Sequence, residues 1–162
     1  MWKLSNRSKS RLVGVHPKLV EVVHRAIQIT PVDFGVTYGV RDLETQKKLV
    51  AAKRSTTLKS KHLIQDDGYG HAVDVVAYVD TGDGNGPEVC WELPIYDDIA
   101  DAFKQASEEK GLTLRWGCAW HCHLTGQQKN AEQLRNEYID LRKSQGRSYF
   151  LDGPHVEVMQ LS

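Results

Sequence analysis

The fold of this chain is restricted most by a polar stretch, residues 60–70, that continues without a break into an apolar strand pattern. Residues 71–79 carry enough alternating apolar side chains to predict a β-strand. His62 lies in the polar part and Asp74 on the strand, which brings an imidazole and a carboxylate close together. A second segment, 152–158, combines a histidine with another strand pattern near the C-terminus. The two segments together predict one site built from distant parts of the chain.

These two segments offer the ligands of an open zinc site. Catalytic zinc usually has three protein ligands and leaves its fourth position to water, a set that His62, Asp74 and His155 could provide. Antiparallel neighbouring strands would bring these side chains together. Asp152 lies three residues before His155, across a Gly-Pro turn, and could act as the general base or only form the turn. Arg41 ends another predicted strand and could pair with a surface acid or stabilise a developing oxyanion.

Alternatives to this ligand set stay open at the level of the sequence. His71 could replace His62, although the alternation of a strand would point His71 and Asp74 to opposite faces. Residues 118–123 contain two cysteines and two histidines, which could hold a structural zinc ion. Structural zinc sites usually recruit separate ligand pairs, so partly buried thiols beside tryptophans are favoured there.

The loop 80–92 partly imitates a calcium-binding loop. Counted from Thr81, positions 3, 5, 6 and 12 are Asp83, Asn85, Gly86 and Glu92. The first position is threonine rather than aspartate, which favours a glycine-rich turn over a Ca²⁺ site.

The rest of the chain mixes short strand patterns with amphipathic helices and shows no repeating strand–helix unit. This mixture predicts an α+β fold, a small antiparallel sheet flanked by helices. The predicted helices are 17–29, 43–50, 94–110 and 127–143, and the predicted strands are 34–40, 71–79, 112–116 and 155–159.

Charge and composition narrow the class of protein. The 21 basic and 21 acidic residues give a formal net charge of zero, which argues against a dedicated nucleic-acid-binding protein. We find no apolar run long enough for a signal peptide or a membrane span, so we expect the cytosol of the cell that makes the chain. Three cysteines, an odd number, fit a reducing compartment. The basic segment 1–15 is expected to be a solvated tail, or to contact an anionic surface.

Taken together, the motifs resemble a known family. The resemblance is carried by Ser60-x-His62, Gly70-x-Ala72-x-Asp74 and Asp152-x-x-His155-Val156-Glu157. These motifs are similar to those of the zinc peptidases of the D-alanyl-D-alanine carboxypeptidase family, which share the Hedgehog/DD-peptidase fold. Aspartate rather than glutamate before the last histidine resembles the bacteriophage endolysins that are L-alanyl-D-glutamate peptidases. Residues 38–41 with Gln46, and 115–117 with Trp120, are similar to further family segments in the same order.

The resemblance implies roles for individual residues. The implied zinc ligands are His62, Asp74 and His155. Asp152 would activate the water that the zinc binds and then protonate the leaving amine. The implied substrate-binding residues are Arg41, Gln46, Ser60 and Trp120. Arg41 would also polarise the substrate carbonyl.

The resemblance also implies a function. A single zinc endopeptidase domain over residues 1–162 would cut peptidoglycan stem peptides between L-Ala and D-Glu and lyse a host bacterium. Such an endolysin would be a monomer that stays in the host cytoplasm until a holin opens the membrane. The alternatives are a D-alanyl-D-alanine carboxypeptidase or dipeptidase, and a catalytically silent, zinc-stabilised binding module. Residues 65–69 look like an insertion and 121–147 like an added helical flank, both departures from the family pattern.

Overall fold

A computed structural model of the protein describes residues 1–53 and 59–160. In these ranges the helices are α1 Asn6–Arg11, α2 Pro17–Ile29, α3 Leu43–Ala51, α4 Leu93–Lys110 and α5 Ala131–Ser144. The strands are β1 Asp33–Tyr38, β2 Ala72–Asp80, β3 Pro87–Cys90, β4 Thr113–Gly117 and β5 Asp152–Gln160. No helix in the described ranges is long and apolar enough to cross a membrane.

The strands form one antiparallel sheet, which confirms the predicted α+β class. The strand order is β1-β2-β5-β4, and β3 pairs with the C-terminal part of β2. In the pairing of β2 with β5, Asp74 lies directly opposite His155. In the pairing of β4 with β5, Arg115 lies opposite Glu157. The register therefore brings polar residues of three strands to one region of the sheet.

Helix α4 packs against one face of the sheet and α2 packs against α4, while the other face carries the polar residues. Side chains alternate along a strand, so Val73 and Val75 point into the apolar core while Asp74 points away from it. Phe103 of α4 is fully buried and its ring lies 5.5 Å from that of Phe34 on β1. Truncating such a phenylalanine to alanine costs roughly 3–5 kcal/mol. A packed core thus supports the face on which the site lies.

The N-terminal segment is folded, so the expected free tail was wrong, although the expected solvation of its basic side chains is confirmed. Its basic side chains are exposed, but α1 is capped by Ser5 and packs against β1. The buried Ser8 hydroxyl accepts a hydrogen bond from the Val36 amide at 2.9 Å. The apolar residues of the segment that reach the core are Leu4, Leu12 and Val15. Their burial favours an ordered segment over a free tail.

Helix α5 and strand β3 also differ from the prediction. Helix α5 begins at Ala131 rather than at 127, because Asn130 and Gln133 form a capping box that ends the preceding loop. Strand β3 was not predicted, since its four residues are too short to show a period. It forms a hairpin with β2 across the glycine-rich loop.

Candidate active site

His62 and His155 both lie against the Asp74 carboxylate. Oδ1 of Asp74 is 3.1 Å from Nε2 of His62 and 3.0 Å from Nδ1 of His155. One ligand atom from each of the three side chains lies within 4.8 Å of the others, and no second group of this kind occurs in residues 1–53 and 59–160. Both imidazoles are buried, and Asp74 is half-buried. Two imidazole nitrogens and a carboxylate oxygen are a donor set that fits zinc.

Different backbone elements position the three side chains. Asp74 and His155 are held opposite each other by the pairing of β2 with β5. His62 comes from the loop before β2, and its carbonyl accepts a hydrogen bond from the Arg41 amide at 2.8 Å. The Ser60 hydroxyl accepts a hydrogen bond from the His62 amide at 3.1 Å, so Ser60 braces the backbone of this histidine.

The outer ring nitrogens of both histidines have acceptors. Nδ1 of His62 lies 2.8 Å from the Gly39 carbonyl, which can only accept, so this nitrogen carries a proton and the neutral ring keeps its lone pair on Nε2, where it can bind a cation. Nε2 of His155 lies 2.9 Å from Oε1 of the buried Glu157. Outer partners of this kind fix the tautomer of metal-binding histidines. Both rings are therefore oriented with one nitrogen towards Asp74.

The charges in this cluster depend on one another. Burial disfavours a charge on the His155 ring, but hydrogen bonds to Asp74 and Glu157 outweigh it and raise the pKa of His155 to about 10. Burial also opposes ionisation of Asp74, yet hydrogen bonds with His155 and His62 hold the pKa of its carboxyl well below the ordinary value. A proton and a metal ion would compete for the same lone pairs.

Asp152 lies beside these residues, in a strand rather than in the predicted turn. It is the first residue of β5, and an irregularity in the pairing places it opposite Gly117. A Cβ atom at Gly117 would collide with the Asp152 carbonyl oxygen, so only glycine allows this close approach. Burial and the nearby Asp74 carboxylate raise the pKa of Asp152 above its ordinary value, while His155, His62 and Arg41 oppose the shift.

Arg41 borders the cluster on the side of α3. Its Nη1 donates a hydrogen bond to Oε1 of Gln46 at 2.8 Å, and its Nη2 lies 3.9 Å from Oδ2 of Asp74. Its Nε is buried and has no hydrogen-bond partner in the described part of the chain. The Gln46 side chain is fully buried, so it contacts Arg41 from the protein interior.

Trp120 borders the cluster on the opposite edge of the sheet, near β4. Its ring centroid lies 5.5 Å from that of His155. Its Nε1 donates a hydrogen bond to the Phe150 carbonyl at 3.1 Å, and the two rings stack. Arg115 lies over the Trp120 ring at 5.2 Å. Sequence reasoning did not assign roles to Arg115 and Glu157, although Glu157 follows His155 by two residues on a strand and must share its face.

The alternative ligands do not join this cluster. Nε2 of His71 lies 2.7 Å from Oδ2 of Asp67 rather than near Asp74. Within residues 118–123, His121 pairs with Glu137 and burial raises the pKa of the Cys118 thiol to about 12. No group of three potential ligands forms there among the described residues, so the structure does not assemble the structural zinc site considered above.

The calcium-like loop is arranged as turns. Oδ1 of Asp80 accepts from the Gly82 amide, and Oδ1 of Asp83 accepts from the Asn85 amide. These carboxylates therefore satisfy the backbone of their own loop. The Ca²⁺ site at 80–92 has no support from a ligand cluster within the described ranges.

The fold and the site define a class of protein. An antiparallel sheet that presents two histidines and an aspartate, with a separate half-buried carboxylate beside them, has the arrangement of a single-metal hydrolase. The chain belongs to the phage L-alanyl-D-glutamate peptidase family, whose model matches residues 1–159. The resemblance inferred from the motifs is thereby confirmed.

Individual relatives agree with this family. The chain is 31% identical over 124 residues to the L-alanyl-D-glutamate peptidase of Escherichia phage T5, a match that covers 74% of this chain and 82% of the relative. It is also similar to the crystal structure of the Serratia marcescens L-Ala D-Glu endopeptidase ChiX. That similarity has a TM-score of 0.65 and 32% identity, and it covers 95% of this chain and 87% of the other.

Proposed function

We propose that this chain is a zinc-dependent endopeptidase that hydrolyses the L-alanyl-D-glutamate bond of peptidoglycan stem peptides. The observation that carries the proposal is the cluster of His62, Asp74 and His155 in a chain of this family. These residues would hold a zinc ion, which would supply a Lewis acid for the carbonyl of the scissile bond. The acceptors on the outer ring nitrogens support this assignment, because they leave the inner nitrogens free to bind.

Asp152 is the proposed general base and acid. It accepts a proton from the attacking water and later delivers it to the leaving amine nitrogen. Its raised pKa supports both steps, because a carboxyl group whose pKa lies closer to neutrality takes up and releases protons more readily at neutral pH. The close fit against Gly117 fixes the backbone of Asp152 beside the cluster.

Arg41 and Trp120 are the proposed contacts to the substrate. Arg41 would donate to the peptide carbonyl as negative charge develops on its oxygen, and Gln46 would hold the guanidinium in that position. Trp120 would form one wall of the peptide groove beside His155. Ser60 acts on the site through the backbone of His62.

The biological setting is part of the same proposal. The enzyme would act as a monomeric endolysin that accumulates in the host cytoplasm, reaches the wall after a holin opens the membrane, and lyses the cell. One domain over residues 1–162, with the segment 121–147 as a helical flank, stays a prediction. The flank is tied to α4 by the paired contacts of Arg135 with Asp97, at 2.8 and 2.7 Å.

The test is hydrolysis of purified stem peptides followed by mass spectrometry. The wild-type protein should release L-Ala from the D-Glu-containing fragment. Asp152→Asn should lower kcat by roughly 10²–10⁴-fold, the usual contribution of a general base, while the zinc content stays unchanged. Asp140→Asn, at an exposed position on α5, is the matched control and should behave as wild type.

The same assay separates the rival functions. Release of free D-Ala alone would identify a D-alanyl-D-alanine carboxypeptidase or dipeptidase. Zinc binding without any cleavage product, in a protein that still binds peptidoglycan, would identify a binding module. Full activity of Asp152→Asn would show that the general base lies elsewhere.

A further inference from the structure

Glu157 and Trp120 contact the His155 ring, and Arg115 connects these two side chains. Oε1 of Glu157 lies 2.9 Å from Nε2 of His155, and Oε2 of Glu157 lies 3.0 Å from Nη2 of Arg115. The Arg115 guanidinium in turn lies 5.2 Å from the centre of the Trp120 ring. That ring packs against His155 at 5.5 Å and closes the circle. Each member therefore restrains the next.

The sheet builds this arrangement into the backbone. Glu157 follows His155 by two residues on β5, so both side chains leave the same face. Arg115 is the direct partner of Glu157 across β4 and β5, which places opposite charges side by side on that face. The contact does not depend on a loop.

Burial makes the contact between Glu157 and His155 strong. Glu157 is only 4% exposed, and a buried carboxylate is tolerated when charged donors satisfy it. Here both of its oxygens have such donors, one on His155 and one on Arg115. Removing either partner would leave buried charge uncompensated. The carboxylate is thus fixed in one place, from which it can fix the imidazole.

We propose that Glu157 is a positioning residue, held by Arg115, that keeps the His155 ring oriented with Nδ1 towards the zinc ion. This inference rests on the proposed zinc site. With Glu157 as acceptor, the neutral ring keeps its proton on Nε2 and its lone pair on Nδ1. Without it, the ring loses the contact that selects this tautomer. Loss of such an outer carboxylate lowers metal affinity by roughly 10–100-fold.

The test is zinc affinity, measured by competition with a chromophoric chelator on the full-length protein. Glu157→Gln should bind zinc roughly 10–100-fold more weakly than wild type, and Arg115→Met a few-fold more weakly. Glu137→Gln is the matched control. It removes the charge from another carboxylate–histidine pair, with His121 at 2.8 Å, that is not part of the circle. It should leave the zinc affinity unchanged.

Additional readouts separate positioning from a general loss of structure. The apo forms of Glu157→Gln and wild type should have similar circular dichroism, while ¹⁵N NMR of the zinc-bound forms should show less coordination through Nδ1 of His155 in the variant. Saturating zinc should restore peptide hydrolysis by Glu157→Gln with an unchanged KM.

The outcomes distinguish this inference from the proposed function. Zinc affinities within twofold of wild type for both Glu157→Gln and Arg115→Met would overturn the positioning role alone. If Glu157→Gln does not fold, Arg115→Met decides by itself, because Arg115 is partly exposed and its replacement keeps the length of the side chain. A wild-type protein that does not bind zinc would overturn both proposals.

Discussion

Two clusters of histidine and aspartate share the segment 62–74, but only one of them has the geometry of a metal site. In the ligand cluster, Oδ1 of Asp74 lies 3.1 and 3.0 Å from one nitrogen of each histidine. The second, which we call the loop cluster, consists of His16, Asp67 and His71. There Oδ2 of Asp67 lies 2.7 Å from Nε2 of His71 and 3.9 Å from Nε2 of His16.

The outer contacts of the histidines explain the difference. In the ligand cluster the outer nitrogens face acceptors, the Gly39 carbonyl and the Glu157 carboxylate. In the loop cluster, Nδ1 of His16 instead accepts a hydrogen bond from the Lys18 amide at 3.1 Å, as the cap of α2. The neutral His16 ring must then carry its proton on Nε2, which faces Asp67. The same residue types thus form a metal site or only a hydrogen-bonded contact, depending on whether their outer partners accept or donate hydrogen bonds.

The loop cluster has its own place in the fold. It holds the predicted insertion 65–69 against the start of α2. The Tyr69 ring packs edge-on against His16 at 5.4 Å, and the backbone of Gly70 pairs with Gly14 and His16. Asp67 and His71 of the loop cluster lie between the proposed zinc ligands His62 and Asp74. The loop cluster therefore restrains this loop without contributing a ligand.

Replacing one histidine from each cluster gives the largest contrast. His62→Ala should lose both zinc and peptide hydrolysis, because only two proposed ligands remain. His71→Ala should keep both, since its contact is with Asp67. Metal content by plasma mass spectrometry and hydrolysis of a stem peptide measure the two effects. If His71→Ala lost zinc and His62→Ala retained it, His71 rather than His62 would be the zinc ligand.

The pH dependence of zinc binding tests the charge state of the ligand cluster. Despite the burial of the ring, hydrogen bonds to Asp74 and Glu157 raise the pKa of His155 to about 10. Zinc must displace this proton, so its apparent affinity should increase about tenfold per pH unit between pH 7 and 9. Chelator competition at several pH values measures the slope. An affinity independent of pH would show that His155 binds zinc without releasing a proton.

The free energy of unfolding should also depend on the titration of His155, but it should decrease with rising pH while the zinc affinity increases. The folded-state pKa of His155 is raised from 6.5 to about 10. Its contribution to the free energy of unfolding is therefore complete below pH 6.5 and is lost as the pH rises towards 10. In the presence of EDTA, the melting temperature should fall over this range, with a loss on the order of a few kcal/mol. Zinc-saturated protein is the control and should not show this decline.

The smallest effect on stability is expected for a substitution in the loop cluster. Partial desolvation of Asp67 is outweighed by its hydrogen bond with His71, which lowers the pKa of Asp67 below 3.8. The stabilisation is present above pH 3.8 and is lost as the pH falls through the folded-state pKa. Asp67→Asn should therefore slightly lower the melting temperature at pH 7 and leave zinc content unchanged. A lowered zinc content would mean that the loop cluster also sets the geometry of the ligand cluster.

Local patterns were sufficient for much of the fold and for part of the site. Pro17 at the start of α2 and Asp42 as the cap of α3 act through contacts within a few residues, and both helices begin where the sequence indicates. Strand alternation also predicted that Asp74 and His71 point to opposite faces, although β2 begins only at Ala72. The α1 helix was missed because its basic side chains resemble a solvated tail, while its stability comes from distant contacts such as that of Ser8 with Val36.

The sequence by itself determined the residue types of the ligand cluster and the strands that carry Asp74 and His155, because motif spacing and side-chain alternation are local properties. Only the tertiary structure decided which loop histidine faces Asp74 and which partners orient it. That decision depends on pairing between residues far apart in the chain, such as the Gly39 carbonyl with His62 and Arg115 with Glu157. Such contacts follow from the register of the sheet and the packing of loops, which no local period encodes.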